Sequence, residues 1–424
     1  MTYSWLFNGV QTIVALEDGQ QVVPINFDNA ATTPPLKHVD DFIFQNIMMY
    51  GSVGRGGHKS SYCTHAYELS REEVLRFFGA DQCDDYEVIY VKNTTEGLNL
   101  LSRMLCDTRG DKILATRMEH HANDLPWRQV ASTYFAEITK DGRLDLEDLE
   151  KKLSRANGSI AYVTVCGASN VTGYINPIHE IARIVHKHGA KLIVDGAQLI
   201  AHRKINLLGK GAAEAIDALV FSGHKMYAPF GEGVVIVKRE LVEGKIPFLS
   251  GGGAVTYVFD DDVYYKLSPH KEEAGTPNFL GAMAIVAAMD VLNEVTFEKI
   301  ESHETALLKR LIDGLMQIPG VEIYGDKSEH DRVGVISFNL NNHDHGEVGR
   351  LLQQKRGIAV RTGCFCAQPY VTRLLGINNE ERYRFMNDPS LKQPGMVRAS
   401  FGLYNSCEEV DEFLNVLEAI AMEE

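Results

Sequence analysis

The sequence predicts an α/β protein: a large, mostly parallel sheet with helices on both faces, followed by a smaller α+β domain. Three observations predict it. From about Asn26 to Arg239, short β-branched runs alternate with helical patterns, the order that builds a parallel sheet from crossover units. After Gly275 this gives way to a helical region and then a second, shorter alternation. The chain has 424 residues, 45% apolar and 23% charged, which suffices for two or three domains with ordinary cores and no disulfide framework. We place the large domain at 26–284 and the small one at 285–424, joined by 1–25.

The first strands expected are 87–91, 112–115 and 160–165, each a short apolar run. Asn176 is expected to cap a helix with Pro177 at its first position. Ile178, Ile181, Ala182 and Val185 then recur at i, i+3, i+4 and i+7, an apolar stripe. Gly189 ends that helix, and strands at 191–194 and 218–221 follow. Beyond them come a helical region at 279–318, a strand at 333–340, a helix at 345–355, a strand at 358–361 and a terminal helix at 408–422.

Composition excludes several classes. The net charge of −15 lacks the basic field of a nucleic-acid binder. The most apolar stretch, 281–289, ends at Asp290 and is too short to span a bilayer. The first twenty residues have neither a basic start nor a long apolar run, so no signal peptide is expected. Seven cysteines, at 63, 83, 106, 166, 364, 366 and 407, are odd in number and scattered, unlike a secreted scaffold. The expectation is a cytoplasmic protein that binds neither nucleic acid nor membrane.

Ligands of parallel sheets bind at the carboxyl ends of the strands, and chemistry-bearing residues stand there. Lys225, in Ser222-Gly-His-Lys225, follows the run 218–221. It is either a solvated lysine or a desolvated amine able to form a Schiff base with an aldehyde. Asp195 ends a strand and is either a helix cap or a partner for a protonated pyridine nitrogen. Asn93-Thr94-Thr95-Glu96-Gly97 opens a helix and suits a phosphate, or is a plain capping box. His120, in Glu119-His-His-Ala-Asn123, offers a ring for stacking and proton transfer, or merely starts a helix. Arg361 and Arg398 are candidate carboxylate clamps.

Cys366, on the Gly-containing loop Arg361-Thr-Gly-Cys-Phe-Cys366, is a candidate activated thiolate; disulfide, metal half-site and inert thiol remain open. An extended loop would set Cys364 and Cys366 on one face. His343-Asp-His345 reads as a solvated loop before a helix, and no metal site is expected.

Together, in this order, the motifs are specific. The chain resembles the class V aminotransferase superfamily, pyridoxal-phosphate (PLP) fold type I, and within it the SufS-like group II cysteine desulfurases and selenocysteine lyases. The likeness runs from Asp28-Asn-Ala-Ala-Thr-Thr-Pro34 to Arg398-Ala-Ser-Phe-Gly-Leu-Tyr-Asn405. It rests most on Glu119-His-His-Ala-Asn-Asp-Leu-Pro-Trp127, Asp195-Gly-Ala-Gln198, Ser222-Gly-His-Lys225, Ala274-Gly-Thr-Pro-Asn278 and the Cys366 loop.

The resemblance implies PLP on Lys225, Asp195 at the pyridinium nitrogen, His120 stacked on the ring, and Asn170 and Gln198 near the ring hydroxyl. It puts Thr94, Thr95, Ser222 and His224 at the phosphate, joined by Thr276 across a homodimer interface. Arg398, Arg361 and Asn170 would hold the substrate carboxylate. Cys366 would take sulfur from L-cysteine as a persulfide, for a sulfur-acceptor protein. The alternative is another class V enzyme (a C–S lyase, selenocysteine lyase or epimerase) in which the cysteines are incidental. Two departures stand out: Cys364 where the family often has histidine, and a long 369–396 segment before Arg398.

Overall fold

The computed structural model describes residues 3–106, 110–230 and 232–423. Its centre is a seven-stranded sheet of β1 (Tyr86–Val91), β2 (Lys112–Thr116), β3 (Ser132–Ala136), β4 (Tyr162–Cys166), β5 (Lys191–Asp195), β6 (Ala218–Ser222) and β7 (Gly233–Lys238). The spatial order is β1-β7-β6-β5-β4-β2-β3. From β6 through β5, β4 and β2 to β3 every pairing is parallel, whereas β7 runs antiparallel to both β1 and β6. The architecture is thus α/β with a large, mostly parallel sheet, as expected.

Away from the edge strand β3, the sheet is dry on both faces. Leu219 and Phe221 enter one apolar cluster while Ala218 and Val220 enter another, and Val88 and Tyr90 are divided from Ile89 and Val91 in the same way. Successive side chains point to opposite faces, so an unbroken apolar run such as 218–221 marks a strand covered on both sides.

Strands β3 and β7 were not foreseen. Ser132–Ala136 is an edge strand with an exposed and half-buried pattern, so its apolar signal is weak. Strand β7 breaks the crossover rhythm by returning directly beside β6.

The 176–189 unit needs one correction. The helix runs from Ile178 to Lys187, but Asn176 does not cap it. Its amide Nδ2 donates instead to the carbonyl of Cys166, tying the helix entry to the end of β4 (2.8 Å). Gly189 does follow the helix with a positive φ of 74°, which suits a residue without a Cβ.

The helical region beyond residue 278 is two helices, Phe279–Val295 and Phe297–Leu315, bent by 78° at Thr296. The expected division between 284 and 285 falls inside the first of them. Among the described residues, no single helix is long and apolar enough to cross a membrane.

A second sheet contains β8 (Val321–Ile323), β9 (Val335–Leu340), β10 (Arg361–Gly363) and β11 (Met396–Ser400), antiparallel in the order β8-β9-β11-β10. The helices 297–315, 345–356 and 407–421 cover it with Leu311, Leu352 and Phe413, and Ile25 and Phe27 join the same cluster.

The expected strand at 358–361 is in fact two. Ile358–Ala359 pairs in parallel with Ile25–Asn26, and Arg361 begins β10. Asp344 caps the helix from His345, accepting from the Gly346 N–H. The long 369–396 segment contains the helix Asn379–Asn387, closed at its start by a capping box of Asn378 and Glu381.

Candidate active site

The parallel strands deliver their following residues to one edge of the sheet. Beyond β1 lie Thr94 and Thr95, beyond β2 His120, beyond β4 Asn170, at the end of β5 Asp195 and Gln198, and beyond β6 His224 and Lys225. With Arg361, Cys366 and Arg398 from the second sheet and its loop, they line one cavity of about 500 Å³. The structure thus brings together every expected site residue except Thr276. That residue is exposed and lines a different cavity, with Arg55 and Glu273.

Lys225 lies deep in the protein and lines the cavity. Burial lowers its pKa to about 8, with Arg398 adding to the fall and Asp195, Cys366 and Asp28 opposing it. Burial conversely raises the carboxyl of Asp195, against the Ala197 N–H and Lys225. The Asp195 carboxylate accepts from that N–H at 3.0 Å. Removing both groups from water disfavours each charge, and their attraction restores part of it.

His120 is held to about pKa 3, first by burial and then by Lys225, so its ring is neutral at physiological pH. Its Nδ1 accepts from the Ala122 N–H at 3.0 Å, which assigns the ring proton to Nε2. Burial and Lys225 likewise hold His224 to about 4. The neighbouring Glu119 is buried and raised to about 8, mainly by burial, while Thr116, Asn123 and the Cys166 N–H bond its oxygens.

At the start of the helix Thr94–Leu105, the cap is Asn93, whose side chain accepts from the Glu96 N–H. The threonine hydroxyls are therefore free of capping. Thr94 shares its hydroxyl with Ser222 at 2.7 Å, and its N–H donates to the Ser222 oxygen at 2.8 Å. Gly97 lets the helix sit against the sheet: a Cβ there would lie 2.6 Å from Val220 Cγ1.

The cysteine loop is not extended. Phe365 and Cys366 both adopt left-handed backbone, with φ of 52° and 54°, so the one-face arrangement expected for Cys364 and Cys366 does not form. Cys364 turns inward and its thiol donates to the Pro394 carbonyl (3.1 Å), while burial raises its pKa. Cys366 is exposed at the cavity. Asn170 anchors the loop through its Nδ2, which donates to the Phe365 carbonyl at 2.8 Å.

Arg398 is only 3% exposed. Burial lowers its pKa to about 10, against the pull of Asp28. It donates to the Asn170 carbonyl at 3.0 Å and to Asp28 at 2.9 Å, and its Nε has no partner among the described residues. Asp28 was missed as a site residue, although it opens a quoted motif. Its signal is the β-bridge between Asp28 and Ser400, a contact across most of the chain.

A deep lysine facing a buried carboxylate at the carboxyl ends of neighbouring parallel strands defines a lysine-centred α/β enzyme. The chain belongs to the class-V aminotransferase family, whose model matches residues 25–413. It is 36% identical over 404 residues to a protein of Halalkalibacterium halodurans named "Probable cysteine desulfurase", covering 93% of this chain and 92% of that one. It is similar to the apo structure of a cysteine desulfurase from Thermococcus onnurineus NA1, with a TM-score of 0.83, 35% identity and 94% of each chain covered. It is also similar to the Escherichia coli cysteine desulfurase CsdA in an S-sulfonic acid form, with a TM-score of 0.80, 28% identity, and 98% of this chain and 97% of that one covered.

Proposed function

We propose that the protein is a PLP-dependent cysteine desulfurase that converts L-cysteine to L-alanine and leaves the sulfur as a persulfide on Cys366. The observation that carries this reading is the shared cavity of Lys225, Arg398 and an exposed Cys366. The relatives' names support it.

The residues fit pyridoxal phosphate. Gln198 Oε1 is buried without a partner among the described residues, a donor-poor position that suits a ring hydroxyl. Thr94, Thr95, Ser222 and His224 suit a phosphate at a helix start. Asp195 would hold the pyridine nitrogen, His120 would cover the ring, Asn170 would lie near its hydroxyl, and Lys225 would attach the group. When bound, the cofactor supplies an electron sink for the substrate α-carbon.

The chain's own groups do the rest. Arg398 and Arg361, with Asn170, hold the carboxylate of L-cysteine. Lys225 Nζ, its pKa lowered by burial, takes the α-proton. The Cys366 thiolate attacks the substrate sulfur: the S–S bond forms, the substrate Cβ–S bond breaks with its electrons left on the carbon side, and protonation there yields alanine. Exposure of Cys366 leaves the persulfide open to the thiol of a sulfur-acceptor protein.

The active unit in this proposal is a cytoplasmic homodimer. Thr276, away from the cavity of its own chain, would reach the partner's phosphate site. The hairpin Val255–Val258 and Val263–Tyr265 exposes Tyr257, Val258, Phe259 and Tyr264, an apolar patch that suits a subunit interface. Within each chain, we propose that the large unit gives way to the small one at the Thr296 bend.

The test is incubation of the PLP-loaded protein with L-cysteine. Alanine should form, and mass spectrometry should locate one added sulfur on Cys366. Alanine formation that survives Cys366→Ser would sink the reading.

A further inference from the structure

The two clamp arginines are already joined by a carboxylate of the protein itself. Asp28 Oδ1 accepts from Arg398 Nη2 at 2.9 Å, and Asp28 Oδ2 lies 3.1 Å from Arg361 Nη2. The two arginines stand opposite each other on neighbouring strands, Arg361 on β10 paired with Arg398 on β11. Arg398 is buried, whereas Arg361 is half exposed. Two positive charges on facing residues repel, and a buried one left unpaired is costly.

Asp28 is itself held in place. Its segment lies alongside β11: Ser400 N–H donates to the Phe27 carbonyl at 2.7 Å, and Ala30 N–H donates to Ser400 Oγ at 2.9 Å. The Asp28 N–H donates to Asn26 Oδ1 at 3.1 Å. The carboxylate therefore sits on a rigid backbone and divides its two oxygens between two cations.

We propose that Asp28 is a positioning and specificity-setting residue of the carboxylate clamp, which cancels one of its two positive charges so that the site accepts a single carboxylate. This rests on the reading of Arg361 and Arg398 as the clamp. Asp28 occupies one Nη of each arginine. The remaining donors of the half-exposed Arg361 stay available, while the Arg398 Nε is buried and unpartnered among the described residues. With Asp28 in place the trio carries one net positive charge, matched by the one carboxylate of a neutral amino acid. Without it, the pair carries two and favours a dianion.

The test uses the PLP-loaded enzyme and two small competitive inhibitors, acetate with one carboxylate and malonate with two. In the wild type, malonate should gain little over acetate. In Asp28→Asn, which keeps the shape and removes the charge, malonate should tighten relative to acetate by roughly tenfold, between the bulk-water and near-surface limits for one charge at contact distance. Asp28→Ser removes the same charge with a smaller side chain and carries the same expectation should the asparagine variant fold poorly. Asp28→Glu should restore the wild-type ratio.

A residue that only braces the fold would lower Tm and kcat and leave the malonate-to-acetate ratio unmoved; that result overturns the proposal. The clamp reading fails separately, if Arg398→Gln leaves both the KM for L-cysteine and the acetate inhibition constant unchanged.

Discussion

The backbone N–H of His121 donates to the carbonyl of Cys366 at 2.6 Å. His121 Nε2 accepts in turn from the Gln368 N–H at 3.2 Å. The loop after β2, which presents His120, and the loop after β10, which presents Cys366, are thereby one hydrogen-bonded unit. These two contacts tie the loop that carries the His120 ring to the loop that carries the Cys366 thiol.

The two loop cysteines should separate cleanly. Cys366→Ser should cut alanine formation from L-cysteine by roughly a thousandfold or more, because a neutral hydroxyl does not replace a thiolate as a soft nucleophile. Cys364→Ser should keep turnover within a few fold, since a serine hydroxyl can still donate to the Pro394 carbonyl. Alanine release and persulfide mass spectrometry on both variants check this; an essential Cys364 beside a dispensable Cys366 would reverse the assignment.

Loading with pyridoxal phosphate should report the depressed lysine. Only the neutral amine attacks an aldehyde, so below about pH 8 the loading rate should climb with pH by nearly the full factor for one proton. Above that value it should level off. An amine with an ordinary lysine pKa would keep accelerating past pH 10. Stopped-flow absorbance on cofactor-free protein gives the profile. After borohydride reduction, peptide mapping should place the adduct on Lys225.

Thr276→Val should weaken retention of pyridoxal phosphate without altering the cavity of its own chain, because Thr276 lines a separate one. Equilibrium dialysis measures the loss, and sedimentation should show the wild type as a dimer. A monomer with full activity would refute the shared site.

Gly97→Ala should destabilise the fold by about 1–3 kcal/mol, the cost of overpacking a tight interior. Its Cβ would meet Val220 Cγ1 at 2.6 Å and Val235 Cγ2 at 2.7 Å, on two adjacent strands. Thermal unfolding reads the change; an unshifted Tm would mean that the helix gives way at little cost.

Much of this arrangement was legible because its signals are local. The run 218–221 announces a strand covered on both faces, and the stripe of Ile178, Ile181, Ala182 and Val185 announces a helix. Lys225 and Asp195 become readable once their strands are known, since Asp195 ends its strand and Lys225 follows the end of its own. What escaped depends on distant partners. Asn176 reads as a cap, yet the Cys166 carbonyl claims its amide. The run at 358–361 reads as one strand, but Ile25–Asn26 takes its first half and β11 its second. The inward turn of Cys364 requires Pro394, thirty residues on. Asp28 shows its place only when β11 lies beside it.

The stitching of residues 25–33 joins segments that are made far apart in time during synthesis. Ala30 finds its Ser400 hydroxyl across 370 positions of chain, and Ile25 finds Ile358 nearly as far away. Thr33 N–H meanwhile donates to the His224 carbonyl at 3.0 Å, beside Lys225. A ribosome that adds about 5–20 residues each second releases this early strap many seconds before its second anchor exists. The central sheet, complete by Lys238, can form while the strap, joined at Thr33 to His224, still lacks its partners at Ile358 and Ser400. The contact between Asp28 and Arg398 can form only once β11 has emerged. A nascent chain stalled before residue 396 should therefore hold a folded sheet and an amine-bearing cavity whose substrate end is still open to solvent.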